Sequence, residues 1–230
     1  MSHTDKIVFL SRIWSADRIS LSHRALPPMT KNEACIETIR CFHSQLENIE
    51  FHNRRMLHTQ EALFDAHDFR DLRELIQIPD LLPTHVYKCR VTYRRHIESI
   101  EWEIYARRQI ASLQLVHDET IDYSFKYRQR HDLDRIYSQR KECDDVLIVR
   151  NGYLTDTYVC NIALLNDNNW LTPAEPLLKG TQREYLLRKG IISPAYIRAE
   201  DLNNFTQIRL FNAMMPWTEA ITLPVSRVFG

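Results

Sequence analysis

Residues able to do chemistry are sparse in this chain, and a few stand in suggestive company. In Tyr123-Ser124-Phe125-Lys126-Tyr127-Arg128 a lysine sits among aromatic side chains. Partial desolvation there would lower its pKa and free an amine for Schiff-base chemistry. The same segment equally suits a surface lysine whose stem covers an aromatic ring. In Leu178-Lys179-Gly180-Thr181-Gln182-Arg183 a glycine precedes an amphipathic run. A helix starting there would aim unpaired N–H groups and its positive dipole end at the turn, the makings of an anion or phosphate site, with Thr181 and Gln182 adding side-chain donors. An ordinary helix cap would look the same. Read from its neighbours alone, Arg55 suits a helix-surface ion pair with Glu50 or Glu61, His52 suits packing, and Asp156 suits a hairpin-end carboxylate capping a turn. No metal site is expected. His52 and His58 miss the i, i+4 spacing that would aim two imidazoles at one ion, and the cysteines at 35, 41, 89, 143 and 160 contain no C-x-x-C pair.

The elements that must position these residues are legible in outline. Cys35–Phe42 reads as a strand, residues 49–65 as a helix through Phe51, Met56, Ala62 and Leu63, and 68–76 as a second helix. Pro79 and Pro83 interrupt the pattern. Alternation in Val86–Tyr93, and again at Ile100, Trp102 and Ile104, predicts an antiparallel pair. Leu113–Val116 reads as a strand and His131–Lys141 as a helix. Val146–Val149 is an apolar strand before Asn151-Gly152, a strong hairpin signal. Short strands follow at Tyr153–Thr157, Asn161–Leu165 and Trp170–Leu171, then a helix at Thr181–Lys189, a strand at Ile208–Phe211 and a strand-like end at Ile221–Phe229. The mixture indicates α+β, with two domains meeting near residues 106–112: a small N-terminal α+β domain over 31–108 and a C-terminal mixed-sheet, barrel-like domain over 109–230. Residues 1–30 read poorly and are set apart as a segment of uncertain order.

Composition narrows the function classes. Two hundred and thirty residues can bury a substantial core, and thirty basic residues balance thirty acidic ones, so no global field draws nucleic acid or an anionic membrane. Arg90, Arg94 and Arg95 flank Tyr93, but the acidic stretch 98–103 follows at once. No apolar run is long enough to span a bilayer, and Ile7-Val8-Phe9-Leu10 is too short for a signal-peptide core. An odd cysteine count without framework spacing suits a reducing cytoplasm.

Taken in order, several segments acquire a joint meaning: Glu37-Thr38-Ile39-Arg40, His52-Asn53-Arg54-Arg55-Met56, Lys126, Asp144–Val149, Gly152-Tyr153-Leu154-Thr155-Asp156 with Asn161-Ile162, Thr172-Pro173, Pro176–Arg183, and Asn212-Ala213-Met214-Met215-Pro216. Over about residues 33–217 this order resembles the class IV aminotransferases, the fold-type-IV enzymes of pyridoxal 5′-phosphate (PLP). The resemblance implies PLP as cofactor and a homodimer. It puts Lys126 at the family's cofactor-bearing lysine and acid–base, and Arg55 at the phosphate. Thr181 and Gln182 would face that phosphate too, and Asn212-Ala213 would form the closing turn facing phosphate and substrate carboxylate. Asp156 stands where the family places a glutamate on the pyridine nitrogen, one methylene longer. The strand would then sit closer to the ring, or the contact would run through water, or the electron sink would be weakened. Within the family, Asn212–Pro216 is similar to the closing segment of aminodeoxychorismate lyases, which release pyruvate to leave 4-aminobenzoate. A branched-chain or D-amino-acid transaminase is the alternative, and a non-catalytic PLP-binding relative a second. The expected partner is a small amino-acid-like or amino-chorismate substrate.

Overall fold

The computed structural model describes residues 33–80 and 82–230; the segment set apart as 1–30 lies outside the described residues. The first sheet has the order β2-β1-β3-β4, all antiparallel, from β1 (Cys35–Phe42), β2 (Gln45–Leu46), β3 (Tyr87–Tyr93) and β4 (Ile97–Ile104). β1 is buried along nearly its whole length because it is an interior strand. β4 is the edge: Ile97, Ile100 and Trp102 pack on the core while Glu98, Glu101 and Glu103 line the other side, charge that discourages a further strand.

Helix α1 (Ile49–Phe64) runs between two left-handed residues, Asn48 and Asp65. Its buried positions, Ile49, Phe51, His52, Asn53, Met56, Thr59 and Gln60, recur mostly at helical spacing, but four of the seven are polar. Asn53 has a structural use: its Oδ1 accepts from Leu72 N–H at 3.0 Å and its Nδ2 donates to Asp71 at 2.7 Å. The helix expected over 68–76 is a single turn, α2 (Leu72–Leu75). Asp71 caps its start by accepting from Arg73 N–H, and Ile76 turns extended.

The second sheet follows the order β10-β9-β8-β7-β6-β5-β13, with β11 and β12 branching from β8. Its strands are β5 (Leu113–His117), β6 (Asp145–Arg150), β7 (Tyr153–Thr157), β8 (Asn161–Asn166), β9 (Asn169–Pro173), β10 (Ser193–Ala195), β11 (Gln207–Phe211), β12 (Ile221–Pro224) and β13 (Val228–Phe229). Parallel pairs (β5 with β6, β13 with β5, β10 with β9) mix with antiparallel ones, as expected of an α+β chain. The β6–β7 hairpin turns at Asn151 and Gly152, both at positive φ (52° and 78°), the conformation that Asn-Gly favours. Helix α3 (His131–Tyr137) stops short of the expected Lys141, and α4 (Thr181–Arg188) ends as expected beside Lys189. The expected single strand Ile221–Phe229 is broken after Pro224 by a 3-10 turn, Val225–Arg227, and its two parts pair with different strands.

β6 is buried on both faces. Val146 and Ile148 join the cluster that also contains Ile39, Met56, Val91 and Tyr93 of the first sheet and α1, while Leu147 and Val149 join Leu154, Ile162, Leu164 and Leu210 on the opposite face. One core therefore runs continuously from the first sheet to the second. A third cluster, Ala163, Leu186, Ile192 and Phe211, seats α4 on the second sheet. Phe211 is fully buried and meets Trp217 edge-on at 5.5 Å. Phe211→Ala is expected to cost about 3–5 kcal/mol of stability, read as a lower midpoint in urea unfolding with an unchanged slope.

Candidate active site

Lys126 lies in an irregular segment after β5 whose backbone is tied to the start of β1: Ile36 N–H donates to Lys126 O at 2.9 Å and Arg128 N–H to Ala34 O at 2.8 Å. The neighbouring aromatics anchor rather than cover the lysine. Tyr127 and Phe125 pack on the shared core, and Tyr123 donates its hydroxyl to Tyr127 O at 3.2 Å. The amine points into a cavity of about 620 Å3 between the two sheets. Burial, then the positive charges of Arg55 and Arg130, bring its pKa down to about 7, with Glu37 opposing them. A neutral amine is thus available near neutral pH.

Arg55 enters the same cavity from α1, and it does not pair with Glu50 or Glu61 as a surface arginine would. Its Nε and Nη2 donate to the two oxygens of Glu37 at 2.9 and 2.5 Å. Glu37 is fully buried on β1 and also accepts from His52 Nδ1 at 2.6 Å. Burial would raise the Glu37 pKa, but the charge of Arg55 and the hydrogen bonds from His52 and Arg55 overcome it and hold the carboxyl at about 2. His52 in turn reaches Thr181 Oγ1 through Nε2 at 3.3 Å. Thr181 opens α4, whose first helical bond is Glu184 N–H to Gly180 O at 3.0 Å. The amides of Thr181, Gln182 and Arg183 precede that bond, so an anion placed between Arg55 and Thr181 would meet free donors. Gly180 is required by a close approach: a Cβ there would overlap Asn161 Oδ1. Arg183, buried, fixes the helix to β9 through Thr172 Oγ1 at 3.3 Å and Pro173 O at 2.7 Å.

At the opposite wall Asp156, on β7, is buried with both oxygens engaged. Oδ1 accepts from Asn161 Nδ2 and Oδ2 from Leu178 N–H, each at 2.8 Å. Burial raises its pKa to about 6 against these two donors. Asn161 Nδ2 also reaches Leu178 O at 2.9 Å, so the carboxylate and the amide together hold the loop that leads to Gly180. The closing turn, Asn212 to Met215, is pinned from both sides. Asn212 Oδ1 accepts from Met214 N–H at 2.9 Å, and Arg40 of β1 donates to Met214 O at 3.2 Å and to Glu219 at 2.9 Å.

The cavity therefore brings together Lys126, Arg55, Asp156, Thr181, Asn212 and Ala213 of the residues singled out in the sequence. Gln182 is not in its wall, and its side-chain oxygen accepts from Asn48 Nδ2 at 2.9 Å. Sequence reading missed Glu37 and Asn161. Glu37 stood in the quoted Glu-Thr-Ile-Arg segment, but its partners lie 15 and 18 residues away on α1 and cannot be seen locally. It also missed Lys88, Arg90, Arg128 and Arg130, which line the cavity with a net positive charge although Glu103 pairs with Lys88.

A group able to bond covalently to an amine, carrying a phosphate at one end and a basic ring nitrogen at the other, fits this set. Arg55 and the α4 amides suit the phosphate, Lys126 the carbonyl and Asp156 the nitrogen. Since Lys126 is neutral in the folded protein below its ordinary pKa of 10.5, the unfolded chain binds more protons between about pH 7 and that value. Lys126→Met is therefore expected to stabilise the protein relative to the parent most below pH 7, with the gain shrinking as pH rises. Paired urea titrations across that range would measure it.

The amino-transferase class IV family matches residues 34–222. An uncharacterized protein of Haemophilus influenzae is 34% identical over 180 residues, 77% of this chain and 96% of its own length. A provisionally named 4-amino-4-deoxychorismate lyase of Haemophilus somnus, known as a crystal structure, is similar with a TM-score of 0.73 and 30% identity, over 80% of this chain and 97% of its own. The crystal structure of an aminotransferase of Brucella abortus bound to PLP shares the fold, with a TM-score of 0.64 and 13% identity, over 88% of this chain and 85% of its own. Among the described residues no helix is long and apolar enough to cross a membrane. By sequence and by fold, the chain belongs to the class IV amino-transferase family.

Proposed function

We propose that the protein is a PLP-dependent lyase that converts 4-amino-4-deoxychorismate to 4-aminobenzoate and pyruvate. The observation that carries this reading is the run Asn212-Ala213-Met214-Met215. It resembles the lyase closing segment and here forms the cavity wall beyond Lys126. The likeness to the Haemophilus somnus protein over nearly its whole length supports the same choice.

PLP, when bound, supplies an electron sink for charge developing on the substrate. The protein's residues then have separable tasks. Arg55 and the start of α4 would hold the phosphate, with Glu37 keeping the guanidinium aimed. Asp156 would meet the ring nitrogen and favour its protonated form. The shorter aspartate is committed to Leu178 and Asn161, so the contact is set by the loop as much as by the strand. The Lys126 amine, its pKa lowered to about 7, would take a proton from the ring carbon bearing the substrate's amino group. The ether C–O bond breaks and pyruvate leaves as its enol. Aromatisation supplies the driving force, and no oxidant or second substrate is needed.

The substrate's two carboxylates find their match in the net positive lining of the cavity. The Nε atoms of Arg90 and Arg130 are buried and have no hydrogen-bond acceptor among the described residues. Arg130 also stacks on Tyr158 at 4.1 Å and donates to its carbonyl, which holds the guanidinium at the wall. By family likeness the reading extends to a homodimer, and five free cysteines suit a reducing cytoplasm.

The direct test supplies purified protein with PLP and 4-amino-4-deoxychorismate and follows 4-aminobenzoate and pyruvate. Equimolar products are expected, without accumulation of aminated cofactor. Borohydride should fix the cofactor to Lys126 and to nothing in Lys126→Ala. Transfer of an amino group to a keto acid, with no pyruvate from the chorismate derivative, would replace the lyase by a transaminase. Arg90→Gln is expected to raise KM on the order of tenfold to a hundredfold with kcat little changed, the value of one charge-assisted hydrogen bond.

A further inference from the structure

His52 is the one buried imidazole on the polar stripe of α1, and packing does not explain where its two nitrogens point. Nδ1 lies 2.6 Å from Glu37, and Nε2 lies 3.3 Å from Thr181 Oγ1. Glu37 is shared with Arg55, so a hydrogen-bonded series runs Arg55–Glu37–His52–Thr181, and both of its ends stand in the cavity wall. α1 and α4 are also joined by Asn48 to Gln182 at 2.9 Å and Arg54 to Glu184 at 3.1 Å, which hold Thr181 in register with His52.

The polarity of this series follows from its fixed members. Glu37 is ionised and can only accept, so the proton of a neutral His52 ring resides on Nδ1. Nε2 is then an acceptor, and the single hydroxyl proton of Thr181 must be directed to it. What Thr181 offers the cavity in that state is oxygen lone pairs, the wrong polarity for a phosphate oxygen.

We propose that His52 is a positioning residue for the phosphate subsite: when a phosphate binds, His52 gains a proton on Nε2 and donates to Thr181, whose hydroxyl turns to the phosphate. The charged groups facing the ring are Glu37 from β1, Arg55 from its own helix and Lys126 from the segment after β5. From α4, Arg183 is turned to Thr172 and Pro173, and Glu184 to Arg54 and Arg188, leaving Thr181 as the group in contact. In the ligand-free protein burial is the largest influence and keeps the ring neutral, with Arg55 and Lys126 acting in the same direction and Glu37 against. A phosphate dianion nearby reverses that preference, and affinity for it falls as pH rises. The inference rests on the PLP reading of the site and concerns how the protein meets the phosphate.

The test uses the full-length protein labelled with 15N in its histidine rings and pyridoxine 5′-phosphate, which has the phosphate but no aldehyde and so leaves Lys126 free. Near neutral pH, the Nε2 resonance lost in His52→Gln is expected at an unprotonated position in the free protein and at a protonated one at saturation. Thr181→Val should bind more weakly and leave that nitrogen unprotonated with ligand present, and this identifies the resonance if His52→Gln does not fold. An unprotonated Nε2 in the saturated parent protein overturns the inference while leaving the cofactor reading intact. Failure of the parent protein to bind the phosphate ester at all overturns both.

Discussion

Glu37 is a carboxylate removed from water, and a bare charge in that position would be strongly destabilising. It is tolerated because Arg55 meets both of its oxygens and His52 donates to one of them. That single buried anion draws together β1, α1 and, through His52, the first residue of α4. Removing it would leave the Arg55 guanidinium unpaired beside Lys126 and would push the lysine pKa lower still, since Glu37 is the group that raises it. Much of the site's geometry follows from the need to satisfy Glu37.

The same balance sets the chemistry of Lys126. A lysine that is to act as nucleophile and proton carrier must be neutral, whereas the groups that grip phosphate and carboxylate must be positive. Under the proposed reading the two requirements support one another, because Arg55 and Arg130 both help to depress the lysine pKa. Glu37 limits the effect and keeps Arg55 charged and oriented. The lysine side chain needs no acidic partner of its own, since its backbone is fixed by the first strand rather than its amine by an ion pair.

Periodicity revealed most strands and the two longer helices, since each buries a regular face. It misjudged places where local hydrogen bonds override pattern. Asp71 starts α2 late, and Pro224 with the change of partners divides the last strand. Among the site residues, those legible in the sequence had a local signature: a lysine in a fixed order of motifs, a glycine before a helix, an asparagine-alanine turn. Glu37 and Asn161 had none, because their meaning lies in partners brought near by the fold. Gln182 shows the reverse. Its position beside Gly180 suggested a ligand contact, yet its side chain is turned outward from the cavity to join α1 to α4.

Asp156 gives the clearest view of how the two ends of the site are coupled. Its oxygens are held by Asn161 and by the amide of Leu178, and Asn161 also holds Leu178 O. Two residues beyond Leu178 is Gly180, against which Asn161 Oδ1 packs so closely that no side chain fits, and the next residue is Thr181. Asp156 is thereby linked to Thr181 at the start of α4 by one short loop. A glutamate at 156 would push against this loop, whereas aspartate lets the loop close onto the strand. The short side chain is therefore matched to a tight connection between β7 and α4.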